Sequence, residues 1–132
     1  MPINETNMNI DGNDQIEENV CNFRYLSDMV NGKKHLMIGI MDTFISQVSD
    51  ELRSINNAIS DSEYPVIMKY AHTMMSSVSI MGISTLEPVL QEMETLGKSG
   101  VGIEKINELN QKLNLICNKA FKEIEREKLN CL

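Results

Sequence analysis

Between Lys34 and Ile59 the apolar residues Met37, Ile40, Phe44, Val48, Leu52, Ile55 and Ile59 return every three or four positions. Successive side chains of an α-helix are about 100° apart, so this spacing gathers them on one side, whereas a strand would scatter them over both faces. The stretch is therefore committed to one long amphipathic helix with a stripe to bury. Ile67, Ala71, Met74, Val78 and Met81 repeat the pattern in a helix predicted from Glu63 to Met81, with Pro65 in its first turn, where a missing N–H breaks no helical bond. Leu86, Val89, Leu90, Met93 and Leu96 mark a third helix from Leu86 to Leu96. Thr85 is its expected cap, which puts Pro88 at the third helical position. Ile106, Leu109, Leu113, Ile116, Ala120 and Ile124 mark a fourth, from Ile103 to Lys128.

Between these helices lie "VNG", "SDSEYP" and "GKSGVG", read as breaks and loops, and Gly82 is the expected stop of the second long helix. A short helix is predicted from Phe23 to Met29. No segment alternates at period two for long, so no sheet is expected. Four amphipathic helices on short links make an all-α fold, an antiparallel up-down four-helix bundle with a short additional N-terminal helix.

At 132 residues the chain suggests one domain, and it can bury a core without a metal or disulfide staple. The formal net charge is −7. Glu5, Asp11, Asp14, Glu17 and Glu18, with no base among them, concentrate that charge in the first twenty residues. Residues 1–20 read as an acidic, flexible leader, with a short helix from Ile10 to Val20 as the alternative, and residues 21–132 as the bundle. The bundle is then nearly neutral and has no basic block. Nucleic acid and anionic membrane are therefore not its expected partners. The three cysteines are widely spaced, and the two histidines complete no metal pattern. Free thiols, the lack of a secretory signal and the lack of a long apolar run point to the cytoplasm.

One residue stands out. In "KYAHTMMSSVSIMG", His72 follows the core position Ala71, so it lies about 100° off the buried line, at the flank of the bundle. Met68, Lys69, Met75, Ser76 and Ser79 share its side. That face carries little charge for a solvated helix, and its serines leave room for another molecule to approach. The plain alternative is a surface histidine, with Met68 and Met75 lining the seam to a neighbouring helix. No triad or metal set converges on His72. The remaining chemistry is that of the ring itself: a neutral imidazole has one free nitrogen at neutral pH and can take up an activated phosphoryl group.

These residues resemble the histidine-containing phosphotransfer domain of two-component phosphorelays. That family's pattern is His, any residue, Leu, Lys, Gly, Ser, then a Gly, and one helix later Leu-Glu. In "AHTMMSSVSIMG" and "LEPVLQEME", His72 falls on the phosphorylated histidine, Met74 on the buried Leu, Ser77 on the Ser and Gly82 on the helix-ending Gly. Leu86, Met93 and Glu94 fall on the later Leu and Leu-Glu positions, and Thr43–Phe44 on a Thr-Phe pair near the start of the first long helix. The resemblance spans residues 23 to 128.

The resemblance implies a carrier that accepts a phosphoryl group on His72 from a receiver-domain aspartyl phosphate and passes it to another receiver aspartate. Met68, Lys69, Met75, Ser76 and Ser79 would be supporting or docking residues. It implies a response-regulator receiver domain or a hybrid histidine kinase as partner. It also implies no cofactor of the chain's own, with a divalent metal ion in the partner receiver, and a phosphotransfer intermediate rather than a self-standing enzyme; a monomer is the favoured state. Two positions depart from the pattern: Met75 stands where Lys is expected and Ser76 where Gly is expected. A lysine at 75 would lean back over His72 and hold a phosphoryl oxygen, which Met75 cannot do. These departures leave open a degenerate relative that binds a receiver or kinase without transfer, or an unrelated helical interaction module.

Overall fold

A computed structural model describes residues 19–132 of the chain. Five helices follow one another: α1 (Arg24–Met29), α2 (Lys34–Ser60), α3 (Tyr64–Ile80), α4 (Leu86–Ser99) and α5 (Ile103–Cys131). No strand occurs among the described residues. Helix α2 packs on α3 and α5, and α4 packs on the same two, so the four long helices close a ring. The links at 61–63, 81–85 and 100–102 are too short to cross the bundle, so each helix runs antiparallel to the one before it.

The predicted stripes become the core, with shifts on α2 and α5 and with Leu96 of α4 only half-buried. Helix α2 buries Met37, Phe44, Val48, Leu52 and Ile55 as expected, but it also buries Met41 and Ala58, while Ile40 and Ile59 are half-buried. A helix packed by two neighbours buries a wider arc than a single line of threes and fours. On α5, Cys117 is fully buried and Ile116 only partly. From Leu113 a step of three or of four both stay near the stripe, and the azimuth of the neighbouring helices selects the second. Phe44 and Phe121 meet edge to face across α2 and α5, ring centres 6.1 Å apart.

Helix α3 starts and ends one residue inside its expected limits, and α5 runs on to Cys131. The larger difference is at "GKSGVG", expected as a loop. Helix α4 continues through Gly97, Lys98 and Ser99 and stops at Gly100, which takes the left-handed conformation at φ +72°. The Gly100 N–H donates to the Leu96 carbonyl at 2.9 Å. Gly97 is buried where α4 meets α3, and tertiary packing there outweighs the low helix propensity of glycine. Thr85 occupies the cap position of α4 without a side-chain capping bond.

The leader and its alternative helix lie outside the described residues up to residue 18. Val20 and Cys21 donate their backbone N–H groups to the Glu123 carboxylate at 2.6 and 2.9 Å. The Asn22 N–H donates to the Met81 carbonyl at 3.0 Å. Gly82, at φ +65°, sits so close under the Asn22 backbone that any Cβ there would collide with it. Thus Glu123, only 8% exposed, is satisfied by two amides, and residues 20–22 strap the turn between α3 and α4 to α5. The three cysteines are free. Burial raises both inner thiols, Cys117 to about 12, and at Cys21 the Glu123 charge adds to burial, so neither is a ready thiolate. No helix among the described residues is long and apolar enough to cross a membrane.

Candidate functional site

Helix α3 buries Ile67, Ala71, Met74 and Val78, and that register fixes what its outer side presents. His72, one step past Ala71, projects from the flank with its side chain 74% exposed. Helix α4 repeats the arrangement: Met93 is fully buried, and Glu94, one step past it, lies on the edge facing α3. The two edge residues meet, with His72 Nδ1 3.0 Å from Glu94 Oε2.

This contact determines the chemistry of the ring. An ionised carboxylate only accepts, so the Nδ1 proton donates to it, and the neutral ring keeps its lone pair on Nε2. Glu94 is 29% exposed against 74% for His72, so the pair has a fixed inner end and a wet outer end. The result is an exposed imidazole with one nitrogen anchored on Glu94.

The remaining candidates lie around this ring on α3. Ser76 and Ser79 are exposed. Met75 is half-buried and packs against the core, so it is partly the seam residue of the plainer reading; Met68 is half-buried as well. Lys69 is exposed, and its ammonium lies over the Tyr70 ring, 5.3 Å from the centroid. The Thr73 hydroxyl donates back to the Lys69 carbonyl at 2.9 Å.

The sequence matched Glu94 to the Glu of the later Leu-Glu pair but did not pair it with His72. The signal was available in part, since both follow a buried residue by one position. A second feature had no signal. Between α2 and α3 an apolar hollow is lined by Ile40, Thr43, Phe44, Gln47, Ser77 and Ile80. It shares Ile40 and Thr43 with a neighbouring hollow bounded by Val30, His35 and Leu36. His35 is exposed and lies on that rim.

No group of three or more His, Cys, Asp or Glu residues that could hold a metal ion occurs among the described residues. No curated protein and no solved structure matches the chain. The model of one protein family, the Hpt domain, matches residues 39–124, a span that includes His72, Glu94 and most of the four long helices. With more than half of its length matched and with the all-α bundle that carries this site, the chain belongs to the Hpt domain family, the histidine phosphotransfer modules of two-component signalling.

Proposed function

We propose that His72 is the phosphoacceptor of this Hpt domain, taking a phosphoryl group from the aspartyl phosphate of a receiver domain and returning it to the aspartate of another. The observation that carries this is the ring geometry: Nδ1 bonded to Glu94 and an outward Nε2 on an exposed flank. The Nε2 lone pair attacks phosphorus in line with the departing carboxylate oxygen. The N–P bond forms, the P–O bond to the aspartate breaks, and the aspartate leaves as a carboxylate. No proton has to move. The ring becomes a phosphorylated imidazolium whose charge faces the Glu94 carboxylate. In the return step the same Nδ1 proton lets the ring leave as neutral imidazole.

The Hpt family implies receiver and kinase domains as partners in general. For this chain the docking face is read as Ser76 and Ser79, bordered by Met68, Lys69 and Met75. The receiver supplies the divalent ion and the charges that hold the phosphoryl oxygens. Met75 adds no cation to them.

The test is direct. The protein is mixed with a receiver domain charged by a small phosphodonor and magnesium, and the label on the protein is followed. Acid-labile, base-stable label is expected on the wild type and not on His72→Gln. The departures at Met75 and Ser76 favour one second reading, a module that binds a receiver without transfer. Tight binding with no label on the wild type would establish that reading and overturn the first.

A further inference from the structure

We infer that Gly97 is a positioning residue for the His72–Glu94 pair: it lets α4 lie against the backbone of α3 and so fixes the gap that Glu94 spans to reach Nδ1. A Cβ built on Gly97 would stand 2.9 Å from the backbone N of Met68, 3.0 Å from the Tyr64 carbonyl oxygen and 3.1 Å from the Met68 Cα. All three are main-chain atoms, so no side chain can rotate out of the way. Gly97 has ordinary helical backbone and needs no glycine for its own conformation. Within a helix, glycine costs about 1 kcal/mol relative to alanine. What it provides here is close approach.

That approach is set one turn from the site. Gly97 follows Glu94 by three residues and Met68 precedes His72 by four, so the two contacts are neighbouring rungs between the same two helices. A methyl group at 97 needs about half an ångström more room to reach ordinary van der Waals separation from the Met68 nitrogen. The His72–Glu94 bond is 3.0 Å long, and the same displacement takes it to the limit of a hydrogen bond. Gly39 is the contrast. It also lies inside a helix, yet nothing from another element lies within 4 Å of the Cβ it lacks.

The effect on the ring is independent of phosphotransfer; only its consequence for the transfer rate rests on the function proposed above. The experiment uses the full chain with nitrogen-labelled histidine. The nitrogen resonances of His72 report which ring atom carries the proton, and far-ultraviolet circular dichroism reports the fold. Gly97→Ala is expected to remain helical while His72 shifts from the Nδ1–H form towards the Nε2–H form, with transfer falling about tenfold. In a Glu94→Ala background the same substitution should change neither readout further, because Gly97 acts through Glu94. A folded Gly97→Ala whose His72 keeps its Nδ1 proton overturns the inference, as does a rate loss undiminished in the Glu94→Ala background.

Glu94→Asp decides the matter should Gly97→Ala not fold. The helices already touch at Gly97 and cannot close on the shorter acid, so the Nδ1–H form should be lost. Its retention would show that Gly97 does not set the gap. A protonation shift in Gly97→Ala alongside a wild type that never takes label would sink the carrier reading and leave this inference standing.

Discussion

The bundle pairs polar side chains across two of its seams, and the seams use them differently. Between α3 and α4 there is one contact, His72 to Glu94, half in water. Between α2 and α5, besides an ion pair of Lys128 with Asp42, there is a set of amides: Asn110 Nδ2 donates to Asn56 Oδ1 at 2.7 Å, and Asn114 Nδ2 to the Asn110 carbonyl at 2.7 Å and its Oδ1 at 3.1 Å. Asn110 is buried and its neighbours largely satisfy it from within. Such a neutral network holds two helices in register and offers nothing reactive to a partner. At the first seam only the inner nitrogen of the ring is occupied and the outer one is offered. On the function proposed above, that leftover valence facing out is what separates the His72–Glu94 pair from the amide network.

If this contrast holds, the two seams respond oppositely to truncation. Glu94→Ala should have the largest effect on activity. It frees the tautomer and removes the charge facing the imidazolium, so receiver-to-His72 transfer should fall by about 10- to 100-fold. Its melting should barely move, because a polar contact this exposed is worth about 1 kcal/mol or less. Asn110→Ala should do the reverse. Removing the buried Asn110 amide loses its bonds to Asn56 and to the Asn114 side chain and leaves a small cavity, which should cost about 1–2 kcal/mol in denaturant unfolding, with the transfer rate kept. A large rate loss in Asn110→Ala, or a large stability loss in Glu94→Ala, would erase the distinction.

A smaller effect belongs to Glu51, also on α2. It is buried, and its Oε1 atom has no hydrogen-bond partner. Burial raises its pKa from the ordinary 4.5, and neighbouring Asp50 raises it further. The folded state therefore holds this proton more tightly than the unfolded chain. Its contribution to stability is present at low pH and is lost as pH rises through the folded pKa. Glu51→Gln should raise stability at neutral pH by on the order of 1 kcal/mol and flatten the melting temperature against pH in the window above 4.5. An unchanged pH profile would mean that Glu51 finds water in solution.

Along each helix the sequence was easy to read. The stripe through Ile67, Ala71, Met74 and Val78 placed His72 on the flank, and His72 is exposed there. The short links foretold antiparallel neighbours. Misreadings occurred where a second helix makes the choice: Cys117 over Ile116, Met41 and Ala58 added to the core of α2, and Gly97 drawn into α4 although its neighbourhood reads as a loop. The strap of residues 20–22 on Glu123 joins positions about a hundred residues apart and has no local signature at all.

The sequence by itself determined the helices, their buried faces and the exposure of His72, because each of these depends only on the fixed rotation between successive residues of one helix. Tertiary structure alone decided that Glu94 meets Nδ1, that Gly97 touches the backbone of α3 and that the outer nitrogen is the one left free. Those facts depend on the distance and azimuth between two helices, which the spacing of residues along either one does not encode.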